Sequence, residues 1–525
     1  GLFFLLLTFL LLLFFQNKRL GFITILTWVI TAQVVIALFL QTISQFNMTT
    51  VMLSVAVFDA LLFFVYRKKI SSTIKNTPIE WSAIFVLLLA TLFLFNVHYN
   101  YTGQYTVETQ LKLQEGTNLS YPYPYYSDEW DAITLTKEVQ RTSSLPIHIP
   151  YAEKETPFIN YEAVFHSFIA QLITLFDADP VLSYVPLSIA INALIILLIY
   201  IFLRANNLST PSSIIASLLT LFIINGANLP GLWTLIPLTL GLITLLLGLI
   251  FLSYKKINNA FLLLLLTILF YPPLIILYLP ALFTYILLNN SYTKVKKSEY
   301  LFDTFLFIVT LVLLLFKFSL FVLVDHFVVF STFILNALIV IAAFLQLYFT
   351  HAHSLIKKLV RNAIIILISL NIVVLIASWD DHVERFKSVI NFIYYTSYTG
   401  NFIPEYSPFY IIPITTLIFA FIGLMYFNKK HYWLISPTVI GALFWLFYAS
   451  SVHRFIIEYQ RVIIATSILV TIIAGFGIHV IINRLITFLR PYMNIQKTWL
   501  SLGILLLFFA SSFTYTKHSD WDQLI

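Results

Sequence analysis

Three acids stand close together in the stretch Ser127–Asp131, which reads SDEWD and follows a run of tyrosines and prolines. A carboxylate can take a proton from a hydroxyl or amide nucleophile, and grouped carboxylates can bind a divalent cation. Acids in the first turn of a helix also have a structural use, because the helix dipole favours negative charge there. Asp128 and Glu129, with Asp131 as a further member, therefore predict either a chemical site or a helix start.

A second stretch whose residues could take part in chemistry, HRFIIEYQR, carries Arg454 and Arg461. The planar guanidinium presents donors that match phosphate oxygens, so either arginine could bind a phosphate group. His453 offers a further phosphate or metal contact. Arg454, Glu458 and Arg461 are also spaced to fall on one face of a helix, where they would form a structural ion network. The sequence leaves both interpretations open.

The composition indicates what kind of structure must position these residues. Of 525 residues, 60% are hydrophobic and 10% are charged, whereas soluble domains carry about 25% charged residues. The chain is therefore predicted to be an all-α polytopic membrane protein. This sequence has no cysteine, which excludes disulfides, thiol catalysis and cysteine-based metal sites.

Apolar runs long enough to span a bilayer, or nearly so, follow one another along the chain and predict about 13 to 16 transmembrane helices. We expect the run at Gly1–Phe15 to be the end of a membrane helix rather than a signal peptide, because a basic lead and a small-residue cleavage site are missing. The predicted spans lie near 1–15, 21–41, 51–66, 81–97, 182–203, 211–226, 231–253, 258–270, 272–289, 302–324, 327–349, 360–378, 408–427, 432–450, 461–483 and 497–514.

The basic residues orient this series of spans. If every run crosses once, 20 of the 30 lysines and arginines fall on one side, with only 3 of the 23 acids. Cytoplasmic loops are rich in basic residues, so that side is predicted to be cytoplasmic. The segment 98–181 is then a large extracytoplasmic loop, and 379–407 and 451–460 are smaller outer loops. The net charge of +7 reflects this orientation and does not indicate nucleic acid binding.

Two helices are predicted inside the large outer loop. SDEWDAITLTKEVQ begins with a capping serine and acids, which is typical of a helix N-terminus. The apolar residues between 163 and 176 follow helical spacing. Glu162 and His166 are four residues apart, on one face. We expect an amphipathic helix in the outer membrane interface, with His166 as either a surface histidine or an additional site residue.

Two further features are open to a functional or a structural interpretation. Lys317 lies in the middle of a predicted span, where a charge usually faces the bundle interior or a water-filled cavity. The acids after Ser127, together with Asp380, Asp381 and His382, offer hard oxygen and nitrogen ligands for Mg or Mn. A divalent metal is therefore a possible cofactor, and no other cofactor is predicted.

The order of these motifs resembles the GT-C superfamily of integral-membrane glycosyltransferases, which includes protein O-mannosyltransferases and aminoarabinose transferases. The resemblance lies in an acidic DE pair after a membrane helix, a helix containing YEAVFHSFIAQL, and an acidic DADP break before a run of spans. It covers roughly 81–290, and SSVHRFIIEYQRVIIATSILV looks like the late arginine-bearing outer loop of several members.

The resemblance implies a GT-C-like bundle with a large extracytoplasmic first loop that carries short interfacial helices. It implies a sugar donor linked to polyprenyl phosphate, an acceptor of unknown class, and a prokaryotic cell membrane with the active site facing outward. Asp128, with Glu129 beside it, would act as the base or position the acceptor. Arg454 or Arg461 would bind the lipid phosphate. Oligosaccharyltransferase-like members need a metal, whereas O-mannosyltransferase-like members do not.

The chain is accordingly divided into three parts: N-terminal helices (1–80), a GT-C-like core (81–290) and C-terminal helices (291–525). A transporter or flippase for a lipid-linked glycan or small solute is the alternative, since it also needs many spans with isolated charges. The expected internal repeat with matched broken helices is not visible in the sequence. A glycan polymerase or ligase would share the outer-face chemistry but normally carries its large loop late in the chain.

Overall fold

The computed structural model describes residues 19–74, 80–101, 106–109, 112–115, 120–125, 127–147, 160, 162–225, 227–230, 233–289, 411–427, 429–450 and 459–489. This part of the chain is mainly helical and contains thirteen α-helices. They are α1 (Arg19–Thr42), α2 (Met48–Ile74), α3 (Trp81–Asn100), α4 (Ser127–Thr142), α5 (Ala163–Phe176), α6 (Pro180–Ala205), α7 (Thr210–Leu219), α8 (Pro237–Ser253), α9 (Ile257–Phe270), α10 (Ile275–Asn289), α11 (Ile414–Met425), α12 (Ile435–Ser450) and α13 (Tyr459–Leu489).

Short 3₁₀ turns and two small antiparallel strand pairs complete the described structure. The 3₁₀ segments are Thr220–Phe222, Pro272–Leu274 and Lys429–Leu434. The strands are β1 (Thr106–Thr109) paired with β2 (Lys112–Glu115), and β3 (Ile224–Asn225) paired with β4 (Ala227–Pro230). The all-α prediction therefore describes the architecture correctly but missed these two ribbons, both of which lie in connections between helices.

Four of the described helices are long and apolar enough to cross a membrane, which is compatible with an integral membrane protein. They are Gly21–Thr42, Trp81–Asn100, Pro180–Ala205 and Arg461–Phe488. The α3 helix shows how such a helix faces two environments, because Val86, Ala90, Leu94 and His98 are its buried residues. Their spacing of four residues makes one narrow stripe. That stripe packs inward, while apolar side chains cover the exposed faces.

Eleven of the predicted spans lie wholly or partly within the described residues, and each overlaps an α-helix, but only four of these helices are long and apolar enough to cross a membrane. The prediction for 211–226 was wrong in extent, since α7 ends at Leu219 and continues only as a 3₁₀ turn to Phe222. Ten α-helical residues rise about 15 Å, half the thickness of a bilayer core. Between α9 and α10, consecutive prolines break the helix into two. The other five predicted spans lie outside the described residues.

The helix α5 is more buried than an amphipathic surface helix would be. Ten of its fourteen residues are buried, including the polar residues His166 and Gln171. It packs against α1, α2 and α4. The polar side chains instead make contacts between helices: Ser167 donates to the Gln41 side chain at 2.7 Å, and Gln171 donates to Gln33. Interhelical polar contacts of this kind hold helices together in apolar surroundings.

The main hydrophobic core is one cluster of buried side chains in contact with one another. Its members come from all three predicted parts of the chain, the first being Ile23 and the last Ile482. The α6, α8 and α9 helices form its centre, and α13 packs against α7, α11 and α12. Gly423 of α11 and Gly477 of α13 allow a close backbone approach, because a Cβ on Gly477 would lie 2.0 Å from the Phe419 carbonyl oxygen. The α13 helix, which carries Arg461, is thus held firmly along its length.

Candidate functional site

Arg461 joins three segments that are distant in sequence. It lies in the first turn of α13, and its Nη2 atom is 3.2 Å from Oδ2 of Asp128, in the first turn of α4. Its Nη1 atom is 3.7 Å from Oε1 of Glu162, the residue before α5. The site therefore consists of one guanidinium between two carboxylates, each on a separate helix start.

The third neighbour of Arg461 is aromatic and leads into an apolar cleft. The Cζ atom of Arg461 lies 5.7 Å from the centre of the Tyr271 ring, within the range of a cation–π interaction. Tyr271 and Arg461 line a small cleft with room for about one water molecule. The rest of its lining is apolar, from Pro273, Leu274, Leu277, Val462 and Ala465 among others. The cleft thus offers one cation at the end of a hydrocarbon-lined surface.

Exposure separates the two carboxylates. The Asp128 side chain is 51% exposed, whereas those of Glu162 and Arg461 are 17% and 16% exposed. Because half of the Asp128 side chain is exposed and Arg461 keeps Glu162 beside it, Asp128 is the carboxylate that a ligand can reach.

Glu129 has a different environment from its neighbour Asp128. Its side chain is buried, and its Oε1 atom accepts a hydrogen bond of 3.1 Å from the backbone N–H of Leu235. The Leu235 carbonyl accepts a hydrogen bond from the Tyr184 hydroxyl at 2.7 Å. Glu129 thus fastens the start of α4 to the segment before α8. The predicted pair of catalytic acids is in fact one accessible acid and one anchoring acid.

The segment before α8 is held by further side chains of α6. The carbonyl of Trp233 accepts hydrogen bonds from Ser188 at 3.0 Å and from Asn192 at 3.3 Å. The Trp233 indole N–H donates to the Ile223 carbonyl. This buried network gives Glu129 a rigid support, so the position of Asp128 is fixed through α4 rather than by its own contacts.

Aromatic residues pack beside the start of α4. The Tyr125 hydroxyl donates to the His98 carbonyl at 2.5 Å, and its ring meets the Tyr101 ring edge to face at 4.8 Å. Burial, and then the nearby charge of Glu129, raises the pKa of Tyr125 well above its usual value. Tyr125 is therefore a neutral hydrogen-bond donor at physiological pH, and it packs the segment before α4 against the end of α3.

The other predicted site residues do not join this cluster. Asp131 is exposed on α4. His166 is buried between helices, and burial lowers its pKa to about 3, against a weaker opposing hydrogen bond with the Ala132 backbone. Because His166 is buried and stays neutral, it acts in packing rather than in surface binding. Arg454, His453 and Lys317 lie outside the described residues.

The metal prediction gains no support from the part of the chain that the structure describes. No group of three or more potential ligands among these residues could hold a metal ion. Asp128 and Glu162 both contact Arg461, so a guanidinium occupies the position between them that a metal ion would need. Glu129 points into the protein. The other proposed ligands, Asp380, Asp381 and His382, lie outside the described residues.

Glu162 and Tyr271 are the site residues that sequence reasoning missed. The sequence placed Glu162 on a helix face with His166, but the structure puts it at the helix start, where it reaches Arg461. Tyr271 precedes the proline pair that ends α9. An aromatic residue at a helix end was the available signal, but nothing local connects it to Arg461. The described contacts of Arg461 reach across to other helices rather than along its own.

Comparison with known proteins adds no identification: no family model, no curated protein and no solved structure matches this chain. The class of the protein therefore follows from its own features, which are a helical bundle with membrane-length helices and a clustered acid–arginine site at one end.

Proposed function

We propose that this protein is a polytopic membrane glycosyltransferase that uses a sugar linked to polyprenyl phosphate. The observation that carries the proposal is the 3.2 Å contact between Asp128 and Arg461, which are 333 residues apart, beside an apolar cleft. A general base and a phosphate-binding cation are the two groups that such a transfer requires. Both stand at helix starts, so secondary structure supports their positions.

The chemistry assigns one role to each residue. Asp128 takes the proton from an acceptor hydroxyl or amide as that group attacks the anomeric carbon of the sugar. The bond between this carbon and the phosphate oxygen breaks, and the phosphate leaves with the electron pair. Arg461 binds the phosphate oxygens and stabilises the charge that develops on them. Attack opposite the leaving group inverts the configuration at the sugar carbon.

The apolar cleft favours a lipid-linked donor over a soluble one. Apart from Arg461 and Tyr271 its lining is apolar, and its space holds only about one water molecule. A lipid chain attached to a phosphate on Arg461 would therefore lie along this apolar surface rather than inside an enclosed cavity. We infer, in keeping with the resemblance to the GT-C superfamily, an outward-facing site in a prokaryotic cell membrane. The sugar acceptor, which would meet the half-exposed Asp128, is of unknown class.

The experiment compares matched variants in a transfer assay. The purified protein is incubated with a panel of synthetic polyprenyl-phosphate hexoses and cell-envelope extract, and release of polyprenyl phosphate is measured. Loss of a general base reduces rates by about 10²–10⁴-fold, and we expect this for Asp128→Asn. Arg461→Gln should weaken donor use, whereas Arg484→Gln, at the other end of α13, should not. Glu138→Gln alters a carboxylate–arginine pair on α4 outside the site and should remain active.

The transporter alternative is supported by the buried polar contacts between α1 and α5. Gln33, Gln41, Ser167 and Gln171 are all buried in otherwise apolar surroundings. Such residues can line a path for a polar solute. Full activity of Asp128→Asn, together with uptake that fails in Gln171→Leu, would favour transport over transfer.

A further inference from the structure

The guanidinium of Arg461 uses different nitrogen atoms for its two carboxylates. Nη2 faces Asp128 at 3.2 Å, and Nη1 faces Glu162 at 3.7 Å. One partner can therefore be replaced while the other remains. A guanidinium presents five N–H groups in a planar fork that can donate to two phosphate oxygens at once.

The surroundings indicate which partner is replaced. Asp128 has a 51% exposed side chain, so water and ligands reach it. Glu162 has a 17% exposed side chain and precedes α5, a helix with ten buried residues. An anion that approaches Arg461 from the exposed side meets Asp128 first and competes with it for Nη2. Glu162 lies on the protected side of the guanidinium.

We propose that Glu162 is a positioning residue that holds Arg461 in place while a ligand phosphate displaces Asp128 from it. The inference rests on the proposed function, because it assumes that Arg461 binds phosphate. Its consequence is an order of events. Donor binding releases the Asp128 carboxylate from its cation, and the free carboxylate can then accept the proton of the acceptor.

This proposal differs from simple charge balance in a measurable way. Asp128→Asn and Glu162→Gln each remove one negative charge beside Arg461 and preserve side-chain shape. If the two acids only repelled phosphate, both substitutions would tighten its binding. If Glu162 orients the guanidinium, the two substitutions have opposite effects: Asp128→Asn removes a competitor, and Glu162→Gln removes an anchor.

The test measures binding of a short-chain polyprenyl phosphate, without sugar, to the full chain in detergent by native mass spectrometry. Asp128→Asn removes the carboxylate that competes for Nη2 and should bind the probe roughly two- to fivefold more tightly than the wild type. Glu162→Gln should bind it several-fold more weakly. Glu138→Gln should match the wild type. Inorganic phosphate, which has no lipid chain to contact the apolar surface, should compete only weakly if the lipid is the ligand.

The outcomes separate the inference from the proposed function. If the wild type fails to bind, or Arg461→Gln binds equally well, the phosphate site and the inference both fail. If Arg461→Gln loses binding but both acid variants bind more tightly, the phosphate site stands and the positioning role of Glu162 is wrong. Weaker binding by Asp128→Asn would also contradict the displacement of Asp128 by the ligand phosphate. That variant changes an exposed residue, so the test does not depend on the folding of Glu162→Gln.

Discussion

Glu129 allows the structure to predict a stability effect beside the candidate site. Its carboxylate accepts the N–H of Leu235, and both residues are buried. Hydrogen bonds to charged groups contribute about 1.5–3 kcal/mol, and a buried donor left without a partner costs about 1–3 kcal/mol. We therefore expect Glu129→Ala to destabilise the protein by about 2–3 kcal/mol. Glu129→Gln keeps an acceptor oxygen and should lose about 1 kcal/mol.

The assay is thermal unfolding in detergent, followed by the loss of the monodisperse peak in size-exclusion chromatography. Glu138→Ala is the control, because Glu138 lies on the same helix and pairs with Arg141 at the surface. The expected order of melting temperatures is wild type and Glu138→Ala highest, Glu129→Gln next and Glu129→Ala lowest. Equal melting of Glu129→Ala and Glu138→Ala would refute the claim that Glu129 anchors α4.

Other substitutions test the packing of the helices that support the site. Gly477→Ala should lower the melting temperature strongly, because the new Cβ would lie 2.0 Å from the carbonyl oxygen of Phe419. Gln171→Leu should lower it moderately by leaving Gln33 without this partner, and replacing both glutamines with leucine should restore part of the loss. His166→Gln should reduce the fall in melting temperature between pH 7 and pH 5. Burial lowers the pKa of His166 from 6.5 to about 3, so on acidification the unfolded state gains a proton that the folded state does not. If His166→Gln and the wild type lost the same number of degrees between pH 7 and pH 5, this explanation would be wrong.

The helices were predictable because their signal is local. Length and apolar composition are properties of a single segment, and eleven predicted spans overlap helices in the described part of the chain. The start of α4 was visible for the same reason, since acids follow Ser127 directly and the helix begins there. Where the prediction for 211–226 was wrong, the apolar run continued into a turn and a strand, and composition does not distinguish these.

The site was less predictable because its contacts are tertiary. Spacing suggested that Arg461 pairs along its own helix, yet its described partners lie on α4 and before α5. Asp128 and Glu129 are neighbours, but successive residues in a helix point about 100° apart, so the packing of α4 decides which of them is buried. The burial of α5 likewise depends on neighbours on several sides, which periodicity within one helix does not reveal.

The ion pairs also bear on how the chain runs through the bundle. Glu80 precedes α3, Arg204 lies in the last turn of α6, and their side chains are 3.6 Å apart, so these two helix ends lie together. Arg461 begins α13, and eighteen residues later His479 accepts a hydrogen bond from the backbone N–H of Ser209, just beyond α6. Eighteen residues of helix rise about 27 Å, close to the bilayer core of about 30 Å. The acid–arginine site and the Glu80–Arg204 pair therefore lie at opposite ends of the bundle.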